Sequence, residues 1–107
     1  MELDCQLVTL AQQLVLVLSG EIDLATVPLF RNHLGRALNG CRGTTLVVDL
    51  DGVTAIDDAG LGALLGAAGR ARELDGELVV VCTEPTLRRR LEVTRLDRAV
   101  EVRDRIV

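Results

Sequence analysis

The fold is decided by residues 46–66, which read LVVDLDGVTAIDDAGLGALLG. The first residues are continuously apolar and rich in valine, a pattern typical of a strand buried on both faces. From Asp58 to roughly Leu74 the sequence predicts a helix composed largely of glycine, alanine and leucine. Loops that lead from the carboxyl end of such a strand into a helix are where α/β proteins place their binding sites. We therefore expect the functional site where this helix begins.

The residues before this stretch predict a hairpin and a first helix. Residues 3–10 and 14–18 are apolar segments joined by a short polar connection, and they read as two paired strands. Thr26 is a suitable N-cap, with Pro28 in the first turn, where its missing N–H is harmless. Asn39-Gly40 predicts the end of this helix, with the glycine in the left-handed conformation.

The residues after residue 43 complete the pattern of alternating strands and helices. Strands are predicted at 44–49 and 78–82, and Thr83 is expected to cap a short helix on which Arg88 to Arg90 lean outward. Residues 99–102 predict a last edge strand. The order is β-β-α-β-α-β-α-β. We therefore predict a single α/β domain over residues 1–107, with a mixed, largely parallel sheet and helices packed on it.

Composition excludes several classes of function. The chain has 107 residues and a net charge of −4, and it contains one Phe and no Trp or Tyr. Stacking on nucleobases is therefore not expected, and without a basic cluster neither is binding to nucleic acid. All 12 cationic residues are Arg, so no Lys is present to form a Schiff base or to serve a phosphate-binding loop.

The cysteines predict neither a metal site nor a disulfide framework. Cys5, Cys41 and Cys82 are widely spaced and odd in number, and His33 is the only histidine. We expect reduced thiols and no bound cofactor or metal. The start of the sequence lacks the basic region of a signal peptide, and the apolar run at 14–18 is too short to cross a bilayer. We therefore expect a cytoplasmic protein that does not associate with membranes.

The first two aspartates of the central stretch invite a catalytic interpretation. Asp49-Leu50-Asp51-Gly52 resembles the first motif of haloacid-dehalogenase-type phosphatases, in which Asp49 would attack phosphorus and Asp51 would act as acid and base. Against this, roughly half the chain precedes the motif, and the lysine that such enzymes use is missing. The alternative is that Asp49 ends a strand and Asp51-Gly52 forms a turn, and we favour the turn.

The second pair of aspartates begins the helix. A receiver domain would also cluster carboxylates at strand ends, with one of them as phosphoacceptor, but it would need a lysine on a late strand. The structural alternative is capping, because an aspartate before a helix accepts hydrogen bonds from its free N–H groups. Capping explains one of Asp57 and Asp58 and does not require both.

Glycines within the same helix need an explanation of their own. Gly60, Gly62, Gly66 and Gly69 lie in or near it, and each interior glycine costs about 0.8–1 kcal/mol relative to alanine. Close packing inside the domain or close approach of another protein would offset this cost, and the spacing leaves both open. The predicted inward face consists of Leu61, Leu64, Leu65 and Ala68.

Three blocks of the sequence resemble STAS domains of the anti-sigma factor antagonist type. They are residues 18–26 (LSGEIDLAT), residues 47–62 (VVDLDGVTAIDDAGLG) and residues 84–98, so the resemblance covers essentially the whole chain. It implies a binding module that is not an enzyme. Such antagonists bind an anti-sigma factor, often a serine kinase with a histidine-kinase-like fold, and so release a sigma factor. The kinase phosphorylates a serine at the start of the glycine-rich helix, which ends the contact.

The departure from the family is at that serine, because its position falls on Asp58, and Asp57 matches the acidic residue before it. Asp58 could imitate the phosphorylated state, but a carboxylate carries one charge and lacks the third acceptor oxygen of a phosphate. The alternatives are constitutive binding, control by another input such as the thiols, or a partner without kinase activity. We favour a partner-binding domain that cannot be phosphorylated there. The predicted partner-binding residues are Glu21, Asp23, Asp57, Asp58, Ala59, Gly60, Leu61, Gly62 and Gly66.

Overall fold

Five strands form one sheet in the order β1-β2-β3-β4-β5 in the computed structural model, which describes residues 2–106. β1 runs antiparallel to β2, and the other neighbouring strands are parallel. This confirms the predicted mixed, largely parallel sheet. The strands are β1 (Leu3–Leu10), β2 (Gln13–Ile22), β3 (Thr45–Ile56), β4 (Glu77–Val81) and β5 (Glu101–Arg103).

Four helices complete the domain, and the element order agrees with the prediction except for one added short helix, α4. The helices are α1 (Val27–Asn39), α2 (Asp58–Glu73), α3 (Pro85–Val93) and α4 (Leu96–Ala99). Their buried side chains form one core with alternate residues of the central strands, such as Leu16, Val48 and Val80. A smaller cluster on other residues of these strands contains Val15, Val47 and Val81. Burial of the strands on both sides explains their continuous apolar runs.

β3 is longer than predicted and overturns the interpretation of its aspartates as strand end and turn. Asp49, Asp51 and Gly52 all lie within β3, where the pairing with β2 contains two irregularities at which β3 carries an extra residue. A Cβ atom on Gly52 would lie 2.7 Å from the carbonyl oxygen of Leu18, so the glycine permits close approach of the two strands. The Asp-Gly pair therefore marks a bulge inside a strand.

β2 also continues beyond its predicted end at residue 18, as far as Ile22. The polar residues that interrupt the apolar pattern belong to the same bulged segment. Gly20 has φ +108°, and a Cβ atom there would lie 2.1 Å from the carbonyl oxygen of Glu2. The polar residues therefore mark the bulged pairing of β2 with β3, and they do not end the strand.

The predicted roles of two residues at the ends of α1 are wrong. Thr26 occupies the N-cap position, but its side chain caps no helix N–H; its hydroxyl donates to the Glu21 carbonyl and accepts from the Asp23 N–H, both at 2.9 Å. Gly40 ends α1 with φ −87°, outside the left-handed region. Both residues sit at the predicted boundaries. The Thr26 hydroxyl is occupied by the connecting loop, and the Gly40 N–H donates to the Ala37 carbonyl in the last turn of the helix.

The short helix α3 is capped by Glu84, which corrects the prediction that Thr83 is the cap. The Glu84 carboxylate accepts hydrogen bonds from the N–H groups of Thr86 and Leu87. The bond from Leu87, followed by that from Thr86, lowers the pKa of Glu84. Leu87 and Leu91 are buried and pack the helix onto the core.

The last strand begins later than predicted because residues 96–99 form α4. Arg95 has φ +63° and turns the chain between α3 and α4, and the buried Leu96 anchors the short helix in the core. β5 then pairs with β4 over residues 101–103.

Candidate functional site

The candidate site lies where β3 ends and α2 begins, and Asp57 organises it. Asp57 has an extended backbone, and its Oδ1 accepts a hydrogen bond from the N–H of Gly60 at 3.1 Å. This confirms the predicted helix cap. The N–H of Asp57 also donates to the Ile22 carbonyl at 3.0 Å, which joins the end of β2 to the beginning of α2.

Asp58, the first residue of α2, has a different hydrogen-bond partner from Asp57. Its side chain is 94% exposed, and its Oδ1 accepts a hydrogen bond from Nη2 of Arg90 on α3 at 2.8 Å. Arg90 and Arg88 are half-buried and both contact other groups, so only Arg89 of this run is fully exposed, in contrast to the prediction that all three lean out. The negative charges of the two adjacent aspartates are therefore stabilised separately: that of Asp57 by a backbone N–H of the helix, and that of Asp58 by Arg90.

The structure brings the predicted residues Glu21 and Asp23 to the same end of the sheet. Both are half-exposed, and Glu21 pairs with Ala55 near the end of β3. The carboxylate of Asp23 accepts hydrogen bonds from the N–H groups of Ala25 and Thr26 at 2.9 and 3.0 Å. Asp23 therefore stabilises the conformation of the loop between β2 and α1, which lies beside the first residues of α2.

The glycines of α2 fall into two kinds. A Cβ atom on Gly60 would lie 2.6 Å from side-chain atoms of both Ile22 and Ile56, so this glycine is required by packing inside the domain. A Cβ atom on Gly62, Gly66 or Gly69 would meet no atom within 4 Å in the part of the chain that the structure describes. Internal packing therefore accounts for one glycine and for none of the other three.

The faces of α2 agree with the prediction apart from one residue. Leu61, Leu64 and Ala68 are buried, whereas Leu65 is 51% exposed and does not belong to the inward face as predicted. Among the other predicted site residues, Gly60 is buried, Ala59 is half-buried, and Gly62 and Gly66 are exposed. Sequence spacing could not separate Leu65 from its neighbours, because it is adjacent to the boundary of the apolar stripe.

A shallow groove runs between α1 and α2 beside the exposed glycines. It has a volume of about 220 Å³. Gly35, Gly62 and Gly66 contribute to its lining, and so do the two cations Arg31 and Arg70. The absence of side chains on the three glycines leaves this space open. The backbone of α2 is therefore exposed at Gly62 and Gly66, beside a small depression.

Asp49 and Asp51 have structural partners that the sequence does not reveal. The Oδ1 atom of Asp49 accepts from the N–H of Asp51 at 3.0 Å. The Oδ1 atom of Asp51 accepts from both the N–H and the hydroxyl of Thr83, at 2.7 and 3.0 Å. Asp51 thus fixes Thr83, two residues after the end of β4. Over residues 2–106, no three His, Cys, Asp or Glu side chains come together as a metal site would require.

The three thiols are free within the described chain, and Cys41 and Cys82 are buried. Burial raises the pKa of each thiol above its usual value, with Asp4 adding to the effect at Cys5 and Asp51 at Cys82. A raised pKa lowers the thiolate fraction and with it the reactivity. None of the helices within residues 2–106 is both long and apolar enough to span a membrane.

Comparison with known proteins gives consistent results at the levels of family, sequence and structure. The STAS domain family matches residues 5–107. The anti-sigma-B factor antagonist of Listeria monocytogenes is 33% identical over 86 residues, which cover 80% of this chain and 75% of that protein. The anti-sigma F factor antagonist of Paenibacillus polymyxa is 28% identical over 91 residues, or 85% of this chain and 78% of that protein.

The crystal structure of an anti-sigma factor antagonist from Mycobacterium paratuberculosis superimposes with a TM-score of 0.88 at 25% identity. The match covers 98% of this chain and 88% of that one. The unphosphorylated form of the anti-sigma factor antagonist SpoIIAA has the same fold, with a TM-score of 0.75 at 22% identity. The predicted fold and the predicted family resemblance are both confirmed.

The two kinds of glycine predict opposite effects of alanine on stability. We expect Gly62→Ala to raise the free energy of unfolding by up to about 1 kcal/mol, because alanine favours the helix and the space is open. Gly60→Ala should lower it, because the added methyl group overlaps Ile22 and Ile56. Urea denaturation of the two variants measures both values. A destabilising Gly62→Ala substitution would show that its surroundings are not open.

Proposed function

The chain belongs to the STAS domain family, and on that premise we propose that it is an anti-sigma factor antagonist. It acts as a binding module in the cytoplasm, without enzymatic activity. It binds an anti-sigma factor through the loop and helix face at residues 57–69 and thereby frees a sigma factor. The names of its relatives from Listeria and Paenibacillus support this function.

The observation that carries the proposal is the set of three α2 glycines beside which a side chain would find open space. Gly62, Gly66 and Gly69 together lower the stability of the helix by about 2–3 kcal/mol relative to alanine. No packing within residues 2–106 uses the space left by their missing side chains. A domain of this size is stable by only about 5–15 kcal/mol, so such a loss is appreciable. Close approach of another protein's backbone to α2 explains why the glycines are there.

The proposed contact surface has a defined composition. Asp58, Gly62 and Gly66 are exposed and make the contact, with Ala59 beside them. Asp57, Gly60 and Leu61 belong to the site as the residues that set the helix start and pack it on the sheet. Glu21 and Asp23 extend the surface onto the neighbouring end of β2.

The depression beside the glycine face suits one anchoring side chain of the partner. Its volume of about 220 Å³ is enough for a single large apolar group, and such anchors dominate protein–protein affinity. Arg31 and Arg70 at its border favour acidic groups on either side of that anchor.

Regulation at position 58 differs from that of antagonists with a serine there. Asp58 accepts no phosphate in the manner of a serine hydroxyl, and its single charge is smaller than the charge of about −1.5 to −2 that a phosphoserine carries. We therefore expect binding that phosphorylation of this residue does not switch off. The partner is a serine kinase with a histidine-kinase-like fold or an anti-sigma factor without kinase activity, and the contact surface is the same for both.

A bulky, charged side chain on the glycine face should abolish the complex. We expect Gly62→Arg to reduce the affinity for the anti-sigma factor at least 100-fold, because the arginine prevents close approach of the two backbones. Isothermal titration calorimetry with the anti-sigma factors of the source organism, purified one by one, measures this. Thr9→Arg on the exposed side of β1 is the matched control and should bind normally. If Gly62→Arg and the wild-type chain bind with equal affinity, the contact surface does not include the glycine face of α2.

Intact-mass spectrometry tests the regulation. After incubation with ATP and the cognate anti-sigma factor, the wild-type mass should be unchanged, whereas Asp58→Ser should gain one phosphate if that partner is a kinase. A phosphorylated wild-type chain contradicts the proposal. Thr54 would then be the first site to examine, because it is exposed and is the extra, unpaired residue at the second irregularity of β3.

A further inference from the structure

We infer that Arg90 is a positioning residue of the docking surface. Its guanidinium holds the Asp58 carboxylate in place and neutralises the negative charge that the partner would otherwise meet. This inference rests on the proposed function and extends the surface from α2 onto α3. A partner that covers the start of α2 then contacts the Asp58–Arg90 ion pair and not an isolated Asp58 carboxylate.

The geometry of the pair is the first support. Nη2 of Arg90 lies 2.8 Å from Oδ1 of Asp58, and the two residues are 32 positions apart in sequence. The Asp58 side chain is 94% exposed and that of Arg90 is 41% exposed. The pair is therefore open to an approaching protein, on the same end of α2 as the exposed Gly62.

The anchorage of Arg90 is the second support. Its Nε atom is buried and has no hydrogen-bond partner within the described residues. Leu87 and Leu91 on the same helix are buried in the core, which fixes α3 against the rest of the domain. One edge of the guanidinium is thus enclosed by the protein, while a terminal amino group reaches out to Asp58. In the free chain the position of the Arg90 side chain is therefore set by the packing around its Nε and by its hydrogen bond to Asp58.

An ion pair as exposed as this one contributes little to the stability of the isolated chain. Its effect grows when a partner excludes water, because a carboxylate that is buried without a counter-charge is strongly unfavourable. Asp57 presents no such problem, since its carboxylate already caps the helix. The exposed charge at the start of α2 is that of Asp58, and Arg90 is the cation that compensates it.

The pair also restricts the chemistry of the partner. The Arg90 guanidinium has five N–H donors, and its hydrogen bond to Asp58 uses only one of those at its exposed end. Once the surface is covered, the remaining outward N–H groups need acceptors. We therefore expect the partner to place neutral acceptors, such as backbone carbonyl oxygens, opposite Arg90.

The test measures affinity for the purified anti-sigma factor that binds the wild-type chain. Arg90→Met leaves the Asp58 carboxylate uncompensated and should weaken binding about 30-fold or more. The double variant Asp58→Asn, Arg90→Met removes both charges and should bind within about tenfold of wild type. Arg90→Lys should recover most of the affinity. Arg89→Met is the matched control, because Arg89 is exposed and forms no ion pair within residues 2–106, and it should bind like wild type.

Thermal unfolding separates a role in binding from a role in folding, since all these variants should melt close to wild type. The inference is overturned if Arg90→Met binds like Arg89→Met, or if the double variant binds as weakly as Arg90→Met alone. Either result, together with loss of binding in Gly62→Arg, leaves the proposed function standing. If the wild-type chain binds no anti-sigma factor, the proposed function fails and the role of Arg90 fails with it.

Discussion

The parallel pairing of β2 with β3 is the constraint on which the rest of the structure depends. It begins at Leu14 opposite Leu46 and ends at Ile22 opposite Ile56. The hydrogen bond from the Asp57 N–H to the Ile22 carbonyl extends it by one residue, directly into the N-cap of α2. The start of the functional helix is therefore positioned by two central strands. The bulges in β3 allow these strands to remain paired over their polar ends, so the site is built on rigid elements.

In the proposed function, the composition of α2 reflects a balance between helix stability and partner binding. Glycine is required at position 60 because Ile22 and Ile56 pack against it. The exposed glycines lower the stability of the helix, and no contact within the domain compensates for this loss. Local rules of helix formation are commonly violated at functional sites. The large aliphatic core, with Phe30 and Leu64 fully buried, supplies the stability that permits this. The same helix is thus well packed on its inner side and exposes its backbone at Gly62 and Gly66 on its outer side.

The sequence was sufficient to predict the order of the main elements, the largely parallel sheet and a cap at one of Asp57 and Asp58, because apolar runs and helix-cap residues are local signals. It failed where a contact is distant in sequence. The Asp-Gly pair at 51–52 has the composition of a turn, and only its pairing with β2 makes it a bulge. Thr83 was assigned to a helix cap, but its hydroxyl binds Asp51, which is 32 residues away. Arg90 could not be distinguished from Arg89 without the position of Asp58.

The central claim is that the outer face of α2 is the surface that meets the anti-sigma factor. The most direct measurement is an NMR titration of the isotope-labelled chain with the unlabelled anti-sigma factor, followed through the backbone amide signals. We expect the signals of Gly62, Gly66 and Gly69 to shift or broaden most and those of β1 to stay unchanged. The largest changes on β1, with the α2 glycines unaffected, would contradict this claim.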